Sequence, residues 1–307
     1  MQRPILKAHV DSGKVFTAMT PQKKFAEIPK LLHFTCEDPM ELKRELRDNI
    51  KNLSVKNPDW SVRVYGNKEC EQFIKENFDV HTLRRYRQIN AKYGAARADF
   101  FRYLCLYKLG GVYLDIKSTA TIPLSKIIQP DDRFLISQWH NSPDPSCRVW
   151  GQHHELSHIP GGEYMQWMIM TCAGHPYLKN VICTVSTNID QYHRYFYGVG
   201  REAVLAITGP IAYTHSIHAI LNEHPHRFVD VFGEMGLQYS IYLDRRAHRQ
   251  LQPRHYSRID EPLILRNRIS DALVFGRQML SRINRHRIRR ALHLSRIKGG
   301  GEHGHSI

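Results

Sequence analysis

No apolar run in the 307-residue sequence is long enough to span a bilayer, and the opening MQRPILKAHVDSGK lacks an apolar core of signal-peptide length. Both absences predict a protein without a transmembrane anchor, and the expected compartment is the cytoplasm. Cysteine supplies no framework either. Cys36, Cys70, Cys105, Cys147, Cys172 and Cys183 are scattered without a CxxC pair, which excludes a thiolate metal knuckle and predicts free thiols in a reducing compartment. There is no internal repeat. Acidic residues are the scarce charge: 29 Asp and Glu against 44 Lys and Arg give a formal net charge of +15. That balance calls for an anionic partner or a localised basic tail, and much of the excess lies between Asn284 and Lys298.

What is present reads as a globular α/β chain, 42% hydrophobic and 24% charged. After a polar lead over 1–25, Ile28–Phe34 predicts a strand, and 39–53 predicts a helix capped by Asp38. Trp60–Tyr65 alternates as a second strand, 69–77 predicts a helix, and basic 82–88 reads as surface. Helix formers over 95–109 end at Gly110-Gly111, and Val112–Ile116 predicts a buried strand. Phe134–Trp139 predicts another strand, and the Pro-, Gly- and His-dense 141–162 a loop over the site. Helices are expected over 163–170, from Pro176 to about 188, and after Thr208-Gly209-Pro210 to about 221, with strands near 228–232 and 239–243. This alternation predicts a mostly parallel sheet flanked by helices in one domain over 26–265. Beyond it, 266–307 reads as a basic helix and tail. There Leu273, Leu280, Ile283, Ala291 and Leu294 recur among arginines. Such a helix lies on anionic lipid, or packs on the domain with its basic face solvated, and both readings stay open.

The densest motif runs from Tyr93 to Leu124. Period-2 geometry sends Tyr113, Asp115 and Lys117 to one side of the strand, and Val112, Leu114 and Ile116 to the other. A carboxylate at the carboxyl end of a buried strand sits where open α/β sheets hold ligands. Asp99 and Arg102, three apart, share a helix face. Taken singly, these are an ordinary ion pair and an ordinary strand end. Together, Ala96, Asp99, Arg102, Leu106, Gly110, Gly111, Tyr113 and Asp115 follow A-x-x-D-x-x-R-x-x-x-L-x-x-x-G-G-x-Y-x-D-x-D in register. The segment resembles the family 32 glycosyltransferases, a mannosyltransferase and capsule-enzyme group with a DXD-type signature. Ile28-Pro29-Lys30 with His33, His175-Pro176 and Thr208-Gly209-Pro210 extend the resemblance over 26–262.

The resemblance implies a GT-A-like, Rossmann-related fold and transfer of a sugar from a nucleotide sugar to a glycan or lipid-linked acceptor, with retention of anomeric configuration. A UDP-sugar is favoured over GDP-mannose. His33, Phe34 and Thr35 would lie near the base. Asp99, Arg102, Tyr113 and Asp115 would hold ribose, sugar or phosphate, and Asp115, Arg102 and Lys117 would act in catalysis. Gln138, Trp139, Gln166 and Trp167 are candidate walls of the sugar pocket, with ordinary packing as the competing reading.

The chain breaks the pattern at Lys117, where the second aspartate belongs. In the family that aspartate helps hold manganese or magnesium. Here three readings stand: the lysine meets the diphosphate itself; it pairs with Asp115 or solvent while Asp115 and His255 hold the metal; or it marks lost activity. Two other functional classes stand beside this one. His154-Glu155-Leu156-Ser157-His158 is a literal HExxH, but Pro160-Gly161-Gly162 follows at once, leaving little room for the helix a zinc protease needs. A non-catalytic, basic membrane- or nucleic-acid-binding protein draws on the tail, yet 26–262 contains no nucleic-acid motif.

Overall fold

The computed structural model describes residues 25–139, 149–242 and 259–299, with side chains through Asn284. In chain order the elements are β1 (Leu31–Thr35), α1 (Arg44–Lys56), β2 (Ser61–Tyr65), α2 (Asn67–Asn77), α3 (Val80–Gln88), α4 (Gly94–Leu109) and β3 (Gly111–Leu114). A short β4 (Thr119–Ala120), α5 (Leu124–Ile127), β5 (Phe134–Ile136) and β6 (Met168–Thr171) follow. The chain then runs through α6 (Pro176–Gln191), α7 (Arg194–Tyr197), α8 (Gly200–Ile207), α9 (Pro210–His218), β7 (Arg227–Phe228), β8 (Leu237–Gln238) and α10 (Arg268–Gly299).

The main sheet has the order β2-β1-β3-β6-β5-β7. β6 pairs antiparallel with both neighbours and every other pairing is parallel, so five of its six strands point the same way. The expected α/β architecture, a mostly parallel sheet flanked by helices, is the one observed. Strand alternation divides the core. Tyr113, Phe134, Ile136 and Ile169 face the helical layer of α4, α6 and α9. Leu32, Phe34, Val112, Leu114, Leu135, Met168 and Met170 face a second core with Leu53, Trp60, Trp139 and Trp167. Helix α4 is apolar around most of its circumference, and everything from Asp99 to Leu106 is buried.

Three local expectations need correction. Residues 163–170 are not helical: Met168–Thr171 is the reversed strand β6, wedged between β3 and β5. The Glu, Gln and Met residues of 163–170 favour a helix locally, but pairing in the sheet and burial on both faces of β6 prevail. The basic stretch 82–88 is part of α3, capped by the Asp79 carboxylate, with Thr82, Leu83 and Tyr86 buried at helical spacing. Finally, β3 ends at Leu114, and the Asp115 carbonyl accepts from Ser118 N at 2.7 Å, so Lys117 lies in a turn rather than on the strand. The late strands shrink to the two-residue β7 and β8. Among the described residues Cys36, Cys70, Cys105, Cys172 and Cys183 are free thiols.

Gly110 and Gly111 set the approach of β3 to its neighbours. Both have positive φ, 68° and 99°, and a Cβ on Gly111 would lie 2.5 Å from the Leu31 carbonyl oxygen. A Gly111→Ala substitution therefore adds a backbone clash to about 1–3 kcal/mol of conformational strain. The urea midpoint should fall by at least that equivalent, and an unchanged midpoint would show that β1 and β3 are not held at this distance.

Candidate active site

One buried arginine organises the carboxyl edge of β3. Helix α4 presents Asp99 and Arg102 one turn apart. Arg102 Nη2 lies 3.1 Å from Asp99 Oδ1, and Nη1 lies 3.3 Å from Asp115 Oδ1. Nη1 also donates to the Gln166 carbonyl at 2.6 Å, and the guanidinium sits 4.5 Å over the Tyr113 ring. Asp99 and Arg102 are only 4% and 5% exposed, whereas the Asp115 side chain is 24% exposed. Two aspartates thus share one cation, and only Asp115 reaches solvent.

Burial pushes the Asp99 carboxyl up to about 7; Arg102 opposes the shift and Asp115 adds to it. Burial disfavours the Arg102 charge too, but Tyr113, Asp115 and Asp99 outweigh it and the guanidinium stays protonated. Thr208 Oγ1 donates to Asp99 Oδ2 at 3.1 Å, fastening the step before α9 to α4. The Tyr103 hydroxyl bonds the Thr208 carbonyl at 2.9 Å and also meets the Gln166 side-chain oxygen.

Asp115 N donates to the Trp167 carbonyl at 2.8 Å, and Asp115 Oδ1 accepts from the Tyr113 hydroxyl at 3.4 Å. Thr35 Oγ1 is 2.8 Å from that same hydroxyl, which brings the ends of β1 and β3 to one place. Strand order reverses between these two strands, and ligands of open α/β sheets bind at such switch points. Lys117 Nζ donates to the Tyr239 hydroxyl at 2.8 Å and lies 4.0 Å over its ring. Burial pulls this ammonium down to about 8, with Asp115 opposing and Arg102 adding, so it remains mostly charged at neutral pH.

Beside Lys117 stands an aromatic wall. Tyr239 packs edge-on against Trp139 and Trp167, at 5.1 and 5.5 Å between centroids. Trp139 Nε1 donates to Glu163, which also holds His153. Trp167 Nε1 is buried with no acceptor among the described residues. Gln138 is committed to the Pro160 and Gly162 carbonyls, and serves the loop rather than a pocket.

Other candidate residues fall elsewhere. Phe34 belongs to the opposite core. His33 is fully buried: Nε2 donates to the Gly110 carbonyl at 3.1 Å, Nδ1 faces Tyr65 and Cys105, and burial pulls its pKa down to about 4. As placed it is a neutral lock between β1 and the glycine pair, with both nitrogens occupied. His255 lies outside the described residues. In the HExxH stretch only His154–Leu156 form a 3-10 turn, while His158 stacks on His215 at 5.4 Å. The two histidines therefore do not share the helix face that zinc-protease chemistry requires.

The donor set also tests the divalent cation that DXD-type enzymes use. Among the described residues Asp115 is the one acidic side chain at the mouth of the site. It is already paired with Arg102, with the Lys117 ammonium close behind, and no group of three His, Cys, Asp or Glu is placed to hold a metal. A hard cation needs several oxygen ligands and no adjacent positive charge. These residues do not fit one.

The Asp99 shift yields a prediction. Its folded-state pKa lies above that of the unfolded chain, so the native state holds the extra proton between about pH 4 and 7, and this contribution to stability falls as pH rises through that window. Asp99→Asn should flatten the fall, and urea titrations from pH 4 to 8 should show the stability difference moving in the variant's favour with pH. A constant difference would mean that Asp99 is not protonated in the window.

Sequence comparisons agree with this geometry. Residues 43–135 match the family described as glycosyltransferase sugar-binding region containing DXD motif. The initiation-specific alpha-1,6-mannosyltransferase of Schizosaccharomyces pombe is 25% identical over 209 residues, 64% of this chain and 50% of that protein. The enzyme of the same description from Candida albicans is 28% identical over 138 residues, 43% of this chain and 34% of the relative. The chain thus spans half or less of the length of these curated relatives. A solved structure described as PaToxG Glycosyltransferase superposes with a TM-score of 0.45 at 15% identity, covering 65% of this chain and 73% of the other. Asp99, Arg102, Gly110, Gly111, Tyr113 and Asp115 all lie inside the segment that is similar to this glycosyltransferase sugar-binding region.

Proposed function

We propose that the protein transfers a mannosyl residue from GDP-mannose to a hydroxyl of a glycan or lipid-linked acceptor. The observation that carries this reading is the Asp99–Arg102–Asp115 cluster at the switch point between β1 and β3, inside the matched sugar-binding region. Mannose is taken from the relatives, which are mannosyltransferases. Their identity favours a guanosine donor over the UDP-sugar expected from the sequence.

In this reading Asp115, the exposed member, accepts hydrogen bonds from donor hydroxyls. Arg102 and Asp99 are positioning residues: buried and engaged with the protein, they fix the Asp115 carboxylate. The acceptor oxygen bonds to the anomeric carbon as the bond to the β-phosphate oxygen breaks. The hydroxyl proton passes to that departing oxygen, giving the glycoside and a nucleoside diphosphate. Among the described residues no second exposed carboxylate stands at the Asp115 cluster, which suits a front-face route with retention better than a covalent intermediate.

Lys117 takes the place of the ion. Exchanging an aspartate for a lysine changes local charge by two units, the charge of the divalent cation the family uses. The ammonium is held on Tyr239, whose ring packs on Trp167, and it is a donor suited to a diphosphate. At about 4 Å and an effective dielectric near 20, a unit pair is worth about 4 kcal/mol, enough to stabilise a leaving diphosphate without a metal.

Nucleotide release from a panel of GDP- and UDP-sugars, in excess chelator, tests both parts. GDP-mannose should be turned over, and Asp115→Ala should lose about 100-fold or more while its circular dichroism spectrum stays that of the folded wild type. Turnover of a UDP-sugar instead would move the donor, and wild-type turnover by Asp115→Ala would remove the site. Lys117→Asp should become dependent on manganese, whereas abolition of wild-type activity by chelator and its return with manganese would show that the lysine does not replace the ion.

A further inference from the structure

Helix α10 carries two opposed faces. At 100° per residue, Phe275, Gln278 and Arg282 fall on one side. That side is docked: the Phe275 ring stacks on Phe196 at 5.5 Å, Arg282 lies 4.2 Å over the same ring, and Gln278 Nε2 donates to the Gln191 carbonyl at 3.3 Å. At the start of the helix Asp271 lies 3.4 Å from His193 Nε2. Ile269, Leu273, Leu280 and Ile283, at spacings of four, seven and three, fall on the other side. They are 75%, 59%, 63% and 49% exposed. A helix that docks through mixed contacts and turns four large aliphatic side chains outward inverts the usual arrangement.

The charge of the helix says what would cover this face. Arg268–Gly299 holds nine Arg or Lys residues and a single Asp, so about half of the chain's net +15 resides in this one element. A second copy of the same helix would bring two such charges together. No described helix is long and apolar enough to cross a membrane. We infer that α10 seats the protein on an anionic lipid surface, with Ile269, Leu273, Leu280 and Ile283 entering the acyl boundary and the net positive charge of the helix drawn to lipid headgroups. Aliphatic anchors combined with cationic neighbours are the two signals that stable peripheral binding requires. The surface lies outside the Asp115 site and does not depend on the proposed transfer.

Sedimentation of the full chain with phosphatidylcholine vesicles, with and without phosphatidylserine, decides the matter. The wild type should pellet with the serine-containing vesicles and not with neutral ones, and added salt should release it. The double variant Leu273→Glu with Leu280→Glu should lower the partition coefficient about tenfold or more. Both positions are solvent-exposed, so its melting temperature should match the wild type. A milder Leu273→Ser with Leu280→Ser pair should show the same loss in part. Equal partitioning of the wild type to both vesicle types, unchanged sedimentation of the variants, or a wild-type dimer in light scattering that the double substitution dissociates would each overturn the inference.

Discussion

The site depends on a single electrostatic constraint, a buried guanidinium that cannot be left unpaired. Arg102 sits at 5% exposure among α4, β3 and the Gln166 backbone. Removing one partner of such an ion pair typically costs about 3–5 kcal/mol, because the remaining charge has no water to turn to. Asp99 supplies the buried partner and Asp115 the half-open one. The arrangement makes Asp115 a side chain of fixed direction although it begins a turn. Tyr113, under the guanidinium and bonded to Thr35, carries the same constraint to β1.

Charge then explains why residue 117 matters beyond being a missing ligand. Asp99, Asp115 and an aspartate at 117 would place three carboxylates around one guanidinium, a strongly anionic site that invites a divalent ion. With lysine there the formal charges balance, and they turn positive whenever Asp99 holds its proton. A balanced or positive site suits a diphosphate directly.

Much of this was legible in the chain because it is local. Asp99 and Arg102 share a helix face, the Gly110-Gly111 stop is a backbone necessity, and Asp115 follows from strand period. The fold class came from the same local signals. Long-range choices were not legible. β6 is a strand because a slot between β3 and β5 needs filling, which its own residues do not announce. Tyr239 meets Lys117 across 122 positions, and no spacing rule reaches that far. Thr208 was visible as a motif, yet its bond to Asp99 depends on how α9 meets α4. His33 is the opposite case. The motif pointed to the base, while complete burial and two occupied nitrogens give it a scaffolding part at Gly110.

The exposed aliphatic row on α10 follows from the docked side and is not an accident of a frayed helix. Phe275, Arg282 and Gln278 span two turns, and all three engage the α6–α7 corner. Rotating the helix to hide Leu273 and Leu280 would unstack Phe275 from Phe196 and lift Arg282 off the same ring. Such an exchange removes an aromatic stack and a cation–π contact, each worth about 0.5–1.5 kcal/mol. The register that satisfies the domain therefore leaves the aliphatic face outward. Because that face is fixed relative to α6, and α6 packs directly on α4 and α9, a surface that binds it also sets the direction in which the Asp115 edge faces.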